Sequence, residues 1–577
     1  MQSRRTAAFL VVVLSGLLAV LPGTAAAKKP VKADVVYHHG EIYTVDKRFQ
    51  RVPAMAIKGD RFVAVGSNKL MRKYIGSRTT VIDLKGKVVI PGLIESHIHF
   101  SGIGSAKQQI DAFWKPKQEI LDLVAAGAAA AQPGEWLQGR GWNQEVWTPA
   151  VFPTAAELDA VAPNNPVVLT RTDGHALWAN SKAMELAGIT DTTPNPAGGE
   201  IVRDPVTGRA TGVFVDNAMA LITSVIPPAS ERQQLEALQL AQDELLRYGI
   251  TTGVDQGSFK GTIELMKRLY ADDELKVRVQ QHIRVNSAAD LAAAQEYFTQ
   301  PKKQRIGLFG DRYTINGIKI SVDGALGSRG AWMLEDYSDR PDWRGLVRVT
   351  PEDLHTYAKA ARQHGFQVAV HAIGDAANRA ALDAFERING ELPRLNKDPR
   401  WRVEHAQVVA RSDIPRFAKV RAIPSMQSVH ATSDKNMAEE RVGPERIKGA
   451  YAWRKLLNTG VVLPNGSDAP VELLNPFHGL YAAVTRMDRE GTPPGGWYPE
   501  ERMTRKEALK SFTIWGAYAT FTERLKGSIE KNKLADFVIV DRDPMRVPAA
   551  QLKDIVANMT VLGGEVVYTA SGFDVRK

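Results

Sequence analysis

His97 and His99 stand two residues apart in the run GLIESHIHF (92–100). On a β-strand the two-residue period turns both side chains to the same side, as a pair of metal ligands requires. Four more residues of matching chemistry close other apolar runs: Lys319 in INGIKISVD, His371 in FQVAVHAIGD, His405 in WRVEHAQ and Asp468 in GVVLPNGSDAP. Nitrogen and oxygen donors of this kind suit zinc or another divalent first-row metal. Taken singly each has a plain alternative. An isolated His-x-His is a weak signal, and a lone strand histidine more often satisfies a hydrogen bond in a core. Lys319 alone reads as a salt-bridged lysine, and Asp468 in Gly-Ser-Asp as a helix cap. Together they are hard to obtain from packing needs. Burying so many polar groups with nothing to bind costs ~1–3 kcal/mol each.

The elements that must position these residues follow from the spacing. Eight apolar runs of strand length occur at 92–100, 249–256, 277–285, 315–323, 366–375, 401–407, 422–430 and 460–470. Helical patterns such as ERQQLEALQLAQDELLRYG and PEDLHTYAKAARQHG separate many of them. Strand–helix alternation predicts a parallel sheet, and eight units are the number that closes a (β/α)8 barrel with its chemistry at the C-terminal mouth. The first and second runs are separated by roughly 150 residues, too many for a simple loop, so an inserted subdomain is expected over about 101–235. Valine-, isoleucine- and tyrosine-rich strands punctuated by glycine occupy 28–90 and return in 524–577. Both ends are therefore expected to build one small β-sandwich around a barrel spanning 91–523.

Composition removes several function classes. The chain has 577 residues, 44% of them hydrophobic and 24% charged, which is the balance of a globular protein. It has no cysteine, which excludes a disulfide scaffold, thiolate metal sites, iron–sulfur clusters and a cysteine nucleophile. Arg4 and Arg5, the apolar stretch Ala7–Leu21 and the small residues Ala25-Ala26-Ala27 read as a signal peptide over 1–27, so an exported, periplasmic or secreted protein is expected. Ser3-Arg4-Arg5 with Phe9-Leu10 leaves the twin-arginine route open beside the general one. Removing that segment lowers the formal charge from +10 by its two arginines, and no dense basic run remains. Neither nucleic acid nor a membrane span is expected as a partner. A small-molecule substrate is, and a homo-oligomer is compatible with the class.

The motifs resemble a known family. PGLIESHIHF, the lysine of GIKISVDGALGSRG, VAVHAIGD, EHAQ and NGSDAP are similar to the metal-site motifs of the amidohydrolase superfamily. GRGW, RTDGHALWANS, GGEIVRDPVTG, SMQSVHATSD, GAYAWRKLL and PPGGWYPEERMTRKEAL resemble its family 3 branch, the metal-dependent amidohydrolases like N-substituted formamide deformylase. The resemblance runs from about residue 34 to 570, and it implies a metal-bearing (β/α)8 barrel flanked by a β-sandwich from both termini. By position it implies His97 and His99 as the first-strand metal pair, Lys319 as the lysine that family members can carry as a metal-bridging carbamate, and His371, His405 and Asp468 as the remaining ligands. One or two divalent ions, zinc foremost, fit that set. Three positions depart from the pattern: Glu95 where aspartate is more usual, Ser428 after Gln427, and Asn143 after Trp142. None removes a ligand.

The activity so implied is hydrolysis of a non-peptide carbon–nitrogen bond by a metal-activated water, with Asp468 as general base. A deaminase of a heterocycle or a lactone or ester hydrolase would use the same ligands, and a binding protein that has lost catalysis is the reading from another class. A serine hydrolase is disfavoured, because Gly-Ser-Asp and Gly-Ser-Arg do not make a nucleophile elbow. Trp142, His175, Gln427 and His430 are the candidates for substrate contact. Trp142 and Trp147 could equally pack the insertion's own core. His38, His39, His282, His355, His364 and His478 are assigned to structure or surface.

Overall fold

A computed structural model describes residues 31–395 and 397–576, so the expected signal segment lies outside the described residues. Its centre is a curled sheet of seven parallel strands, adjacent in chain order: β1 (Leu93–Ile98), β2 (Ile250–Ser258), β3 (Arg278–Arg284), β4 (Tyr313–Ser321), β5 (Gln367–Ala372), β6 (Trp401–His405) and β7 (Ala422–Ser425). Nearly every residue of these strands is buried, on both faces, as a parallel sheet wrapped by helices demands. An extended segment, 464–469, bridges the two edges. Met426 pairs with Asn465 on one side and Ile98 with Ala469 on the other, both parallel. Gly466 permits that closure, because a Cβ there would meet the His97 backbone nitrogen at 2.7 Å.

Helices return the chain from each strand to the next, and their starts are written locally. Ser230 and Gln233 form a capping box on the helix Glu231–Arg247, and Thr350 caps Pro351–Gln363, which begins on a proline that needs no donor. Among the described residues no helix is long and apolar enough to cross a membrane.

Between β1 and β2 the chain builds a separate six-stranded sheet running from Gly199–Arg203 at one edge to Ile110–Asp111 at the other. Two further sheets lie at the other end of the fold. One has four strands, all from residues 35–83. The second has six and draws on both chain ends: Phe537–Val540 runs antiparallel to Val88–Pro91, with Ile539 opposite Val89. One apolar cluster, including Tyr37, Met55, Phe62, Phe537 and Val561, joins these two sheets. A buried ion pair, Arg278 Nε to Asp536 Oδ2 at 2.8 Å, ties β3 to the strand-bearing C-terminal segment.

Candidate metal centre

Parallel register places the candidate ligands side by side. Ser321 pairs with His371 across β4 and β5, and Ala372 pairs with His405 across β5 and β6. The C-terminal strand ends thus lie level at one mouth, and half of the chain's twelve histidines gather there.

Asp468 is the hub. Its Oδ1 lies 3.2 Å from His97 Nε2 and 3.1 Å from His99 Nε2, and Oδ2 lies 4.0 Å from His405 Nδ1. Asp468 Oδ1 is buried and has no hydrogen-bond partner, although two ring nitrogens stand so near. His371 Nε2 and His430 Nε2 are buried and unpartnered as well. Lone pairs that converge without being spent on one another are what a cation site leaves, since an orphaned buried polar atom otherwise costs ~1–3 kcal/mol. Two groups of three can each be spanned by one ion, His97–His99–Asp468 and His405–His430–Asp468, sharing the carboxylate. The residues present fit a divalent metal.

The backbone contributes. His405 and Asp468 both adopt positive φ, +75° and +60°, a left-handed region that costs free energy and clusters at functional sites. At the end of β6 this turn breaks the strict alternation of the strand. Glu404 and His405 therefore both serve the site, Glu404 accepting from His97 Nδ1 at 2.7 Å and His405 donating from Nδ1 to Gln427 Oε1 at 2.8 Å. With Nδ1 engaged by a carboxylate, His97 presents Nε2 to Lys319 and Asp468 at the candidate centre.

Electrostatics favour the neutral form at three of these rings. Burial holds His371 and His405 well below the usual histidine range and brings His430 down to about 4. Burial works against the Asp468 carboxylate, yet His97 and His99 keep it well below its ordinary value, so it stays ionised. Burial likewise opposes Glu404, and the Arg402 guanidinium with His97 overcomes it. Lys319 Nζ lies 3.3 Å from His97 Nε2, and burial lowers that ammonium to about 8.

Six of the predicted residues, His97, His99, Lys319, His371, His405 and Asp468, meet here around one cavity of about 280 Å3. His175 joins them from the inserted sheet, its ring 5.5 Å from that of His371 and its Nδ1 donating to Asp216 at 2.5 Å. Gln427 and His430 follow β7, Gln427 bonded to His405 and the His430 ring 5.9 Å from it. Trp142 is not brought to the centre. It is fully buried in the apolar core of the insertion beside Trp147 and Trp178, its Nε1 donating to Leu169 O at 2.7 Å. Glu95 accepts from Ser467 N and Oγ, so it braces the Asp468 segment.

Sequence reading missed four supporting residues. Glu404 and Arg402 form a buried pair at 2.5 Å behind His97, Asp216 orients His175, and Asp323 lies 3.4 Å from His371 Nε2. Asp323 accepts the backbone N–H of Trp332, Ile373 and Gly374, and burial still raises it to about 7. An acid directly beside a ligand, as in Glu404-His405, was the available signal.

Comparisons with known proteins agree with this geometry. Residues 80–568 match the model of the amidohydrolase family. The chain is 34% identical over 556 residues to protein LONG AFTER FAR-RED 3 of Arabidopsis thaliana, covering 93% of this chain and 92% of that one. It is 28% identical over 550 residues to the N-substituted formamide deformylase of Arthrobacter pascens, covering 93% and 99%. An uncharacterized metal-dependent hydrolase from Pyrococcus horikoshii superposes with a TM-score of 0.71 at 26% identity, over 89% of this chain and 99% of that one. A fold that gathers these candidate ligands, and a family match over most of its length, make this chain a member of the amidohydrolase family and a metal-dependent hydrolase.

Proposed function

We propose that the protein hydrolyses a non-peptide carbon–nitrogen bond, with an N-substituted formamide or a related amide as the substrate class. The observation that carries this is the Asp468 carboxylate, ionised, buried and unpartnered at Oδ1 between two groups of histidines. The full-length likeness to a formamide deformylase supports the choice of bond. The curled sheet is read as a (β/α)8 barrel over 91–523, the insertion as a subdomain over about 101–235, and the segments 28–90 and 524–577 as the flanking β-sandwich.

His97, His99, His371, His405 and Asp468 would hold one or two divalent ions, zinc foremost, with Lys319 joining them as a carbamate. Such an ion, when bound, would lower the pKa of a bound water to about 7 and would polarise the scissile carbonyl. Asp468 then takes the proton of the attacking water on its carboxylate and delivers it to the departing amine nitrogen. Glu404, paired with Arg402, fixes the His97 ring, and Gln427 fixes His405. His175, held by Asp216, and His430 face the same space and contact the substrate. The N-terminal segment 1–27 would direct the chain across a membrane to a periplasmic or secreted location.

The test is a panel of N-substituted formamides, acyl amides, cyclic amidines and lactones, assayed for formate, acid, amine and ammonia alongside metal analysis. Formate or acid release together with amine, and stoichiometric metal, is expected. Ammonia from a ring substrate with no amide cleavage would retire the proposal in favour of a deaminase.

A further inference from the structure

The cavity above the metal centre carries an excess of guanidinium that the hydrolysis scheme does not use. Arg140 from the insertion, Arg284 at the end of β3 and Arg348 beyond β4 all line it. None lies closer than 3.9 Å to a carboxylate among the described residues. That single approach is Arg348 Nη1 to Asp216 Oδ1, an acid whose nearer partner is His175. Arg140 spends donors only on the carbonyls of Pro470 and Thr172. Arg284 stacks over the Phe259 ring at 5.6 Å, and its Nε is buried without a partner.

The acids on the same wall are already committed. Asp173 pairs with Arg171 at 2.5 Å, and Asp468, which acts on Arg140 only at longer range, is turned to the candidate metal centre. Asp255 and Asp290 act on Arg284 only from beyond ion-pair distance, so among the described residues its guanidinium has no direct carboxylate partner. Burial, and then the like charge of Arg348, pull the Arg284 guanidinium down from its ordinary range. Half-buried arginines are kept unpaired at a cost, and a planar fork of donors matches a carboxylate bidentately.

The geometry points to an anion subsite, in which Arg284 and Arg348, with Arg140 lining the same cavity, hold a carboxylate carried by the amide substrate. This rests on the hydrolytic reading above and narrows it: the substrate class is an acidic amide, such as an N-formyl or N-acyl amino acid, in preference to a neutral one. A free inorganic anion such as bicarbonate would present related chemistry, and the experiment separates the two sources.

Calorimetric titration of the metal-loaded enzyme with 3-phenylpropionate, 3-phenylpropionamide and bicarbonate reads the subsite without turnover. The carboxylate is expected to bind at least about tenfold tighter than the isosteric amide. Arg284→Met and Arg348→Gln should each remove about tenfold of that affinity while metal content and thermal midpoint stay unchanged. Arg348 is partly exposed, so its variant keeps the test open should Arg284→Met fail to fold. In parallel, the ratio of kcat/KM for an N-acyl amino acid over the same amide lacking its carboxylate should exceed ten and collapse toward one in either variant. Equal binding of acid and amide, carboxylate affinity unmoved by the variants, or capture of bicarbonate alone would each overturn the assignment. If no amide is hydrolysed at all, the reaction class fails while the titration still decides the subsite.

Discussion

The histidine cluster at the mouth of the curled sheet and the tryptophan cluster of the insertion look alike as sequence. Both combine residues of high chemical interest in family-like motifs. Their polar atoms differ. Trp142, Trp147 and Trp178 each donate Nε1 to a backbone carbonyl, from Leu169, Lys115 and Thr154. The histidine cluster leaves Asp468 Oδ1, His371 Nε2 and His430 Nε2 without a hydrogen bond in equally buried surroundings. A satisfied polar group is spent on holding the fold. Unsatisfied groups that converge on one point, as these do, leave room for a ligand.

That contrast can be broken by substitution. Asp468→Asn should lower kcat by about 10²–10⁴-fold, the scale of a lost general base, with little loss of thermal stability. Steady-state kinetics and a melting curve decide it, and a large stability loss with normal kcat would sink the contrast. Trp142→Ala should do the opposite: about 3–5 kcal/mol lost in denaturant unfolding, with metal stoichiometry intact. Between these extremes lies Glu404→Gln. Replacing the charged partner of His97 should weaken metal affinity by about 10–100-fold in a competitive chelator titration. The smallest effect belongs to Gln427→Leu, which removes one neutral hydrogen bond to His405. Metal affinity should fall only a few-fold, in keeping with about 0.5–1.5 kcal/mol for such a bond. An effect as large as that of Glu404→Gln would mean that Gln427 does more than orient the ring.

Much of the centre was legible because its residues sit where strand period and topology can be read. His97 and His99 share a side by alternation, and apolar runs of strand length mark β1 to β6 closely. The family-like text then fixed which polar residues to connect. Glu404 was not legible, since regular alternation would turn it away from the face His405 uses, and the left-handed backbone at His405 is a three-dimensional fact. Asp216 and Asp323 were hidden for another reason. Their partners, His175 and His371, lie on other elements, and no local spacing announces a contact made by sheet packing. The same limit applies to Trp142, whose motif gave no way to separate a pocket wall from a core.

The strand Val88–Pro91 lies between Glu41–Tyr43, from the same N-terminal segment, and Phe537–Val540, which follows the whole central sheet in the chain. During synthesis its second flank emerges only after all seven strands of the central sheet, so this β layer cannot close before they are made. Assembly is thereby weighted toward late, long-distance pairing, the slow kind. A truncation of the final strands would leave an apolar edge open beside the first.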